Sequence, residues 1–242
     1  MYFHSDPRID DVVVERDFTL GDIPGILWTP ASVSASASPI LLGNQGGLDR
    51  MRARLAARAR AAVESGFACA TLELPGSGVR EPLDAVDRAR ADLHRALAAG
   101  EPLDGIVDRL IPPLVDAAVP EFQALLDALY ELPGIDGPAG TSGGITAIAV
   151  RLARVDPRIV CAVLFAGSLL PAATFDDARE LTIPLHVLLQ WDDEGNDRQA
   201  ALDLFDAFGS AEKTLNANMG GHAGVPEHAG AAASAFFERH LR

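Results

Sequence analysis

The sequence predicts an α/β fold: a mainly parallel sheet of eight strands, helices on both faces, and a small helical insertion after the fourth strand. Short, mainly apolar runs at 39–42, 67–72, 158–165 and 184–189 have the character of strands covered on both faces. Segments of helical periodicity lie between them, and such alternation builds a sheet layered on two sides. At 242 residues, with 48% hydrophobic and 22% charged residues, the chain has the size and balance of one globular α/β unit. A single domain over 1–242 is therefore expected.

The elements follow in order. Runs at 12–18 and 23–28 read as two strands joined at Gly21-Asp22, an antiparallel edge. The stretch 31–38 is small and polar, a loop, and 39–42 is the third strand. Asp49 offers an N-cap to a helix that runs to about Glu64 and stops at Gly66. Within it Arg50, Arg54 and Arg58 share one face while Met51, Leu55 and Ala59 define another, so the arginines read as a solvated face. The strand at 67–72 closes at Pro75-Gly76-Ser77-Gly78, which reads as a turn because Pro75 stands where a nucleophile turn needs glycine.

From Val79 to Leu132 the pattern is helical, and breaks at Gly100-Glu101-Pro102, Pro112-Pro113 and Pro120 divide it into about three pieces. A crossover between parallel strands needs one helix. Residues 80–117 are therefore surplus to the scaffold and are a candidate lid. Next come the strand ending at Thr141, a helix from Gly143 to about Arg154, and the strands at 158–165 and 184–189. A helix over about 197–208, a strand near 213–216 and a closing helix over about 227–240 complete the chain.

Composition narrows the function. A net charge of −14 repels phosphate backbones and anionic lipid, so neither nucleic acid nor a membrane is an expected partner. No basic leader with an apolar core is visible at the N-terminus, and no apolar run approaches a bilayer-spanning length. Cys69 and Cys161 each lie inside a strand-like run and read as core residues, which suits a reducing cytoplasm. No metal-ligand spacing or dinucleotide fingerprint occurs, so no metal and no organic cofactor is expected.

Gly140-Thr141-Ser142-Gly143-Gly144 sits where a strand ends and a helix begins, the context of a nucleophile elbow. Such a turn strains the serine backbone, and glycines two positions to either side relieve the crowding. It also aims the Gly143 N–H and the helix N-terminus at an oxyanion. A serine needs a base and the base an orienting acid, which in this strand–turn–helix context follow in the order acid, then histidine. Asp192-Asp193 follows the strand ending at Gln190, and His222 lies on a glycine-flanked loop after the last strand. Both are at carboxyl ends of strands, where sites in open α/β sheets gather. His228 is the rival in the same loop region; His4, His94, His186 and His240 fall in a frayed end, on helices or inside a strand.

The elbow, Leu-Leu-Gln-Trp-Asp-Asp-Glu at 188–194 and the Gly-Gly-His loop together resemble the α/β-hydrolase superfamily, in its dienelactone-hydrolase-like and small serine esterase branches. The resemblance runs from Ile40 to the final helix. It implies an α/β-hydrolase fold and a Ser142–His222–Asp193 triad, with Asp192 and Asp197 as alternative acids. It also implies a small-molecule ester substrate cleaved through an acyl-enzyme, on a monomer or homodimer. Relatives usually carry His-Gly after the third strand, where this chain has Gly43-Asn44-Gln45-Gly46-Gly47. The second oxyanion donor is then expected at Gln45 or Gly46. Serine at the elbow, rather than cysteine or aspartate, favours esterase chemistry over dienelactone hydrolysis, dehalogenation or epoxide opening. The same triad also serves thioesterases, peptidases, amidases and acyltransferases, and a non-catalytic binding protein on this scaffold is the remaining class.

Overall fold

The computed structural model describes residues 1–242 except 5, 33–35, 168 and 223. The chain opens with two-residue strands β1 (Tyr2–Phe3) and β2 (Arg8–Ile9), then the hairpin β3 (Val13–Leu20) and β4 (Ile23–Pro30). After β5 (Pro39–Gly43) come α1 (Leu48–Glu64), β6 (Ala68–Leu72), α2 (Asp84–Ala99) and α3 (Asp104–Tyr130). The second half runs β7 (Ala139–Gly143), α4 (Thr146–Val155), β8 (Ile159–Phe165), α5 (Ala172–Glu180), β9 (Leu185–Gln190), α6 (Arg198–Ala207), β10 (Lys213–Asn218) and α7 (Glu227–Leu241).

The strands form one sheet in the order β1-β3-β4-β6-β5-β7-β8-β9-β10, with β2 also on β3. Pairing from β6 through β5, β7, β8 and β9 to β10 is parallel, and β4 joins β6 antiparallel. The eight expected strands are all present, and β1 and β2 bring the sheet to ten. Two residues are too short to show a period of two; β2 pairs antiparallel with β3, and Arg8 adds ion pairs to Glu15 and Asp17.

Side chains on the two sheet faces build two cores. On one face α1 and α7 cover Ile26, Trp28, Ile40, Leu42, Cys69, Cys161 and Val163. On the other, α2 to α6 cover Leu27, Leu41, Ala70, Ala162 and Leu164. Both cysteines are buried and free, and burial pushes each thiol up to about 12.

The helical region 79–132, expected in about three pieces, differs from expectation. It is two helices, because α3 runs unbroken through Pro112, Pro113 and Pro120. An interior proline costs about 3 kcal/mol in lost hydrogen bonding and steric clash. Here Leu110, Ile111, Leu114, Val115, Val119, Phe122, Leu125, Leu126 and Leu129 are all buried. Each contributes about 1.5–3 kcal/mol on leaving water, so two such side chains offset one proline. Residues 172–180, between β8 and β9, form α5, where no helix was expected.

Candidate active site

The sheet order places the site. From β5 the chain crosses to β6 on one side, while β7 pairs with β5 on the other. A crevice opens outside the carboxyl ends of strands at such a switch point. Two segments border it, 43–47 from the last residue of β5 onward and 142–145 from the end of β7 onward.

These loops touch backbone to backbone. A Cβ on Gly144 would lie 2.6 Å from the Gly43 Cα, and one on Gly43 would lie 2.3 Å from the Gly143 carbonyl oxygen. Both positions therefore exclude a side chain. The turn itself departs from expectation: left-handed backbone falls on Gly143 (φ +64°) and Gly144 (φ +82°), and no described non-glycine residue has positive φ. Ser142 stays in extended β7, and α4 begins at Thr146 rather than at 143. Consecutive left-handed residues cannot enter a right-handed helix, so glycines absorb the turn in place of the serine.

Strand register sets where Ser142 points. It pairs with Leu42 and Val163, whose side chains belong to the α1/α7 core, whereas Thr141 pairs with Leu41 and Ala162 on the opposite face. On the Ser142 side stands Arg58 of α1, donating from Nη1 to the Gly43 carbonyl (3.0 Å) and from Nη2 to the Ser142 carbonyl (2.5 Å) and Oγ (3.1 Å). The solvated-arginine reading is thus wrong for Arg58. Its long arm folds back along α1 to the strand ends, and burial lowers its guanidinium to about 10.

At the other end of the crevice, His222 Nδ1 and Asp193 Oδ2 are 2.7 Å apart. Asp193 is buried, and its Oδ1 accepts the Gly195 N–H at 3.2 Å. Of the two alternative acids, Asp192 is exposed, and Asp197 caps α6 by accepting the N–H groups of Gln199 and Ala200. His228 is exposed on the first turn of α7. The imidazole of His222 packs edge-on against Phe165 at the end of β8, 5.7 Å between centroids, and its side chain is 54% exposed. Among the described residues, no hydrogen bond joins Ser142 to His222.

Several supporting side chains gave no motif. Gln190, 1% exposed at the end of β9, donates to the Gly221 carbonyl at 3.1 Å and so holds the loop that carries His222. Its Oε1 and the Nδ2 of Asn218, the β10 residue paired with it, are buried without partners among the described residues. Asn44 is buried, donates to Thr71 Oγ1 and the Leu72 carbonyl, and accepts the Gly46 N–H at 3.3 Å. Glu73 accepts the N–H groups of Leu48 and Val79 and so anchors the start of α1. A buried polar residue at a strand end is the available signal for Gln190 and Glu73. Trp191 packs on the core with Arg198 stacked 4.3 Å over its ring.

A small cleft beneath the loops is lined by Gly43, Asn44, Leu74, Phe122, Thr141 and Gly143, among others. Residues 80–117 contribute none of that lining, and Ser142 faces away from it. Among the described residues, no group of three or more His, Cys, Asp or Glu side chains is placed to hold a metal ion. No described helix is long and apolar enough to cross a membrane.

No protein-family model matches the chain, and no curated protein sequence does. Solved structures match over its whole length. A cold-adapted esterase from an Arctic intertidal metagenomic library is 25% identical, with a TM-score of 0.72 over 100% of both chains. An acetyl xylan esterase from Paenibacillus sp. R4 is 12% identical (TM-score 0.66; 99% of this chain, 89% of that one). A dienelactone hydrolase from Anabaena variabilis is 16% identical (TM-score 0.61; 98% and 99%). The chain has the α/β-hydrolase fold in the form carried by esterases and dienelactone-hydrolase-like proteins.

Proposed function

We propose that this chain, sharing its fold with those esterases, is a serine hydrolase that cleaves a carboxylic ester of a small or medium acyl substrate through an acyl-enzyme on Ser142. The observation that carries the reading is the 2.7 Å pair of Asp193 and His222 at the carboxyl ends of β9 and β10, along the sheet edge where β7 delivers Ser142. A buried carboxylate bonded to Nδ1 keeps the proton on that nitrogen and leaves Nε2 free as a base.

His222 takes the hydroxyl proton as Ser142 Oγ attacks the ester carbonyl, and it returns that proton to the departing alkoxide. Water then attacks the acyl-enzyme by the same route. The tetrahedral oxyanion is met by the Gly143 N–H and by one from loop 43–47. Gln45 is the better second donor, because the Gly46 N–H already serves Asn44 Oδ1 and the Gln45 N–H has no partner among the described residues. Every proposed step uses this chain's own residues and water, and all come from one copy of it.

A second reading, a binding protein on the hydrolase scaffold, is favoured by one observation: Ser142 Oγ is hydrogen-bonded to Arg58 and not to His222. A fluorophosphonate probe separates the two. Labelling at Ser142, with loss of p-nitrophenyl acetate hydrolysis in Ser142→Ala, supports the hydrolase. An unlabelled serine and an unchanged rate would sink it. Ester, thioester and amide substrates with one acyl group, assayed side by side, assign the leaving group.

A further inference from the structure

Arg58 has no part in the steps above, yet it touches the reacting oxygen. Its guanidinium spans the Gly43 carbonyl, the Ser142 carbonyl and Ser142 Oγ. Two carbonyls clasping the ends of β5 and β7 are explained by structure alone. The third bond, and the charge, are not. A neutral amide donates to carbonyls as well, and a half-buried cation without a counter-ion gives up hydration that no carboxylate repays. Among the described residues Arg58 is in no ion pair with a carboxylate. The charged group acting on it is Arg54, of like sign, and the nearby Cys69 thiol is neutral at ordinary pH.

We propose, resting on the acyl-enzyme reading, that Arg58 is a catalytic residue of this site, a cation that holds Ser142 Oγ and stabilises the negative charge it carries on attacking and on leaving. The hydrogen-bond inventory permits it. A serine hydroxyl has one proton and two lone pairs. The Arg58 N–H occupies one pair, the second attacks the carbonyl carbon, and the proton goes to His222. Arg58 stays protonated throughout and is not the base. When the acyl-enzyme breaks down, the carbon–Oγ bond cleaves, Oγ leaves with the electron pair and regains its proton from His222. Arg58 donates to it during that step as well. Both acylation and deacylation therefore depend on it, unlike a residue that only shapes substrate binding.

The test uses the full chain with Arg58→Lys, Arg58→Gln and Arg58→Met, each checked for native circular dichroism. Fluorophosphonate labelling of Ser142 reads acylation, and steady-state turnover of p-nitrophenyl acetate after the burst reads deacylation. Wild-type labelling tests the hydrolase reading by itself. Given that, Arg58→Gln and Arg58→Met are expected to slow both steps by about 100-fold, in the range of losing one charge-stabilising donor. Arg58→Lys, which keeps the charge but not the fork, is expected to recover at least about tenfold of that loss. Should Arg58→Met not fold, the Lys and Gln pair decides, because both can donate and only Lys is charged. Equal rates for Lys and Gln, or a neutral variant labelling at the wild-type rate, overturn the proposal and leave Arg58 as a clasp.

Discussion

Replacing Asp193 with asparagine tests the base directly. The carboxylate accepts from His222 Nδ1 at 2.7 Å through Oδ2 and from the Gly195 N–H at 3.2 Å through Oδ1. Asparagine of the same shape keeps the second bond by leaving its oxygen at Oδ1. Its amide nitrogen then faces Nδ1. A donor there needs an acceptor, so the imidazole proton moves to Nε2 and the base towards Ser142 is lost. Where such a triad is closed and dry, this exchange costs about ten-thousand-fold in turnover. Here the His222 side chain is 54% exposed, so water competes for Nδ1 and imposes the wrong tautomer less firmly. A loss of about a thousandfold in kcat, or about 4 kcal/mol of transition-state stabilisation, is expected. The assay is steady-state hydrolysis of p-nitrophenyl acetate at neutral pH, with Asp192→Asn as the exposed neighbour that leaves the rate unchanged. An Asp193→Asn rate within tenfold of wild type, or an equal fall in both variants, refutes the tautomer argument.

Other substitutions probe the frame. Gly144→Ala puts a Cβ 2.6 Å from the Gly43 Cα at φ +82°, and is expected to cost about 2–4 kcal/mol in urea unfolding, with activity lost alongside. Gly230→Ala, in α7 with nothing within 4 Å, is expected to stabilise by about 0.5–1 kcal/mol in the same assay. His186 is held below its ordinary value first by burial and then by the charge of Arg239, so the folded state resists its protonation. Unfolded chains then bind more protons as pH falls from about 6.5 towards the lowered value, and folding stability drops across that window. His186→Gln should remove this component; wild-type and variant stability curves that stay parallel between neutral and acid pH contradict the assignment.

How much of this was legible in the sequence varies with the physics of each part. The strands β5, β6, β8 and β9 announce themselves because buried parallel strands are short apolar runs. Chain order and place after strands point to His222 and to the pair Asp192-Asp193, the resemblance to relatives favours Asp193, and the structure brings Asp193 and His222 into contact. The course of α3 was not legible: prolines mark local cost, and the burial that outweighs it is tertiary. Nor was the turn at Ser142. The pentapeptide places glycines correctly, but only the close approach of loop 43–47 shows that Gly143 and Gly144 take the left-handed backbone. Arg58 was hidden by its own periodicity, which groups it with Arg50 and Arg54. A side chain that runs back to the strand ends obeys a distance in space and no spacing in sequence.

The most direct measurement is of the covalent intermediate itself. Acid quench of the chain during turnover of p-nitrophenyl acetate, followed by peptide mass analysis, is expected to find one acetyl group on the peptide containing Ser142, bound to that serine. Its amount should rise in Asp193→Asn relative to the turnover rate only if deacylation slows more than acylation. Sustained ester hydrolysis by a chain that never carries acetyl on Ser142 would contradict the acyl-enzyme account.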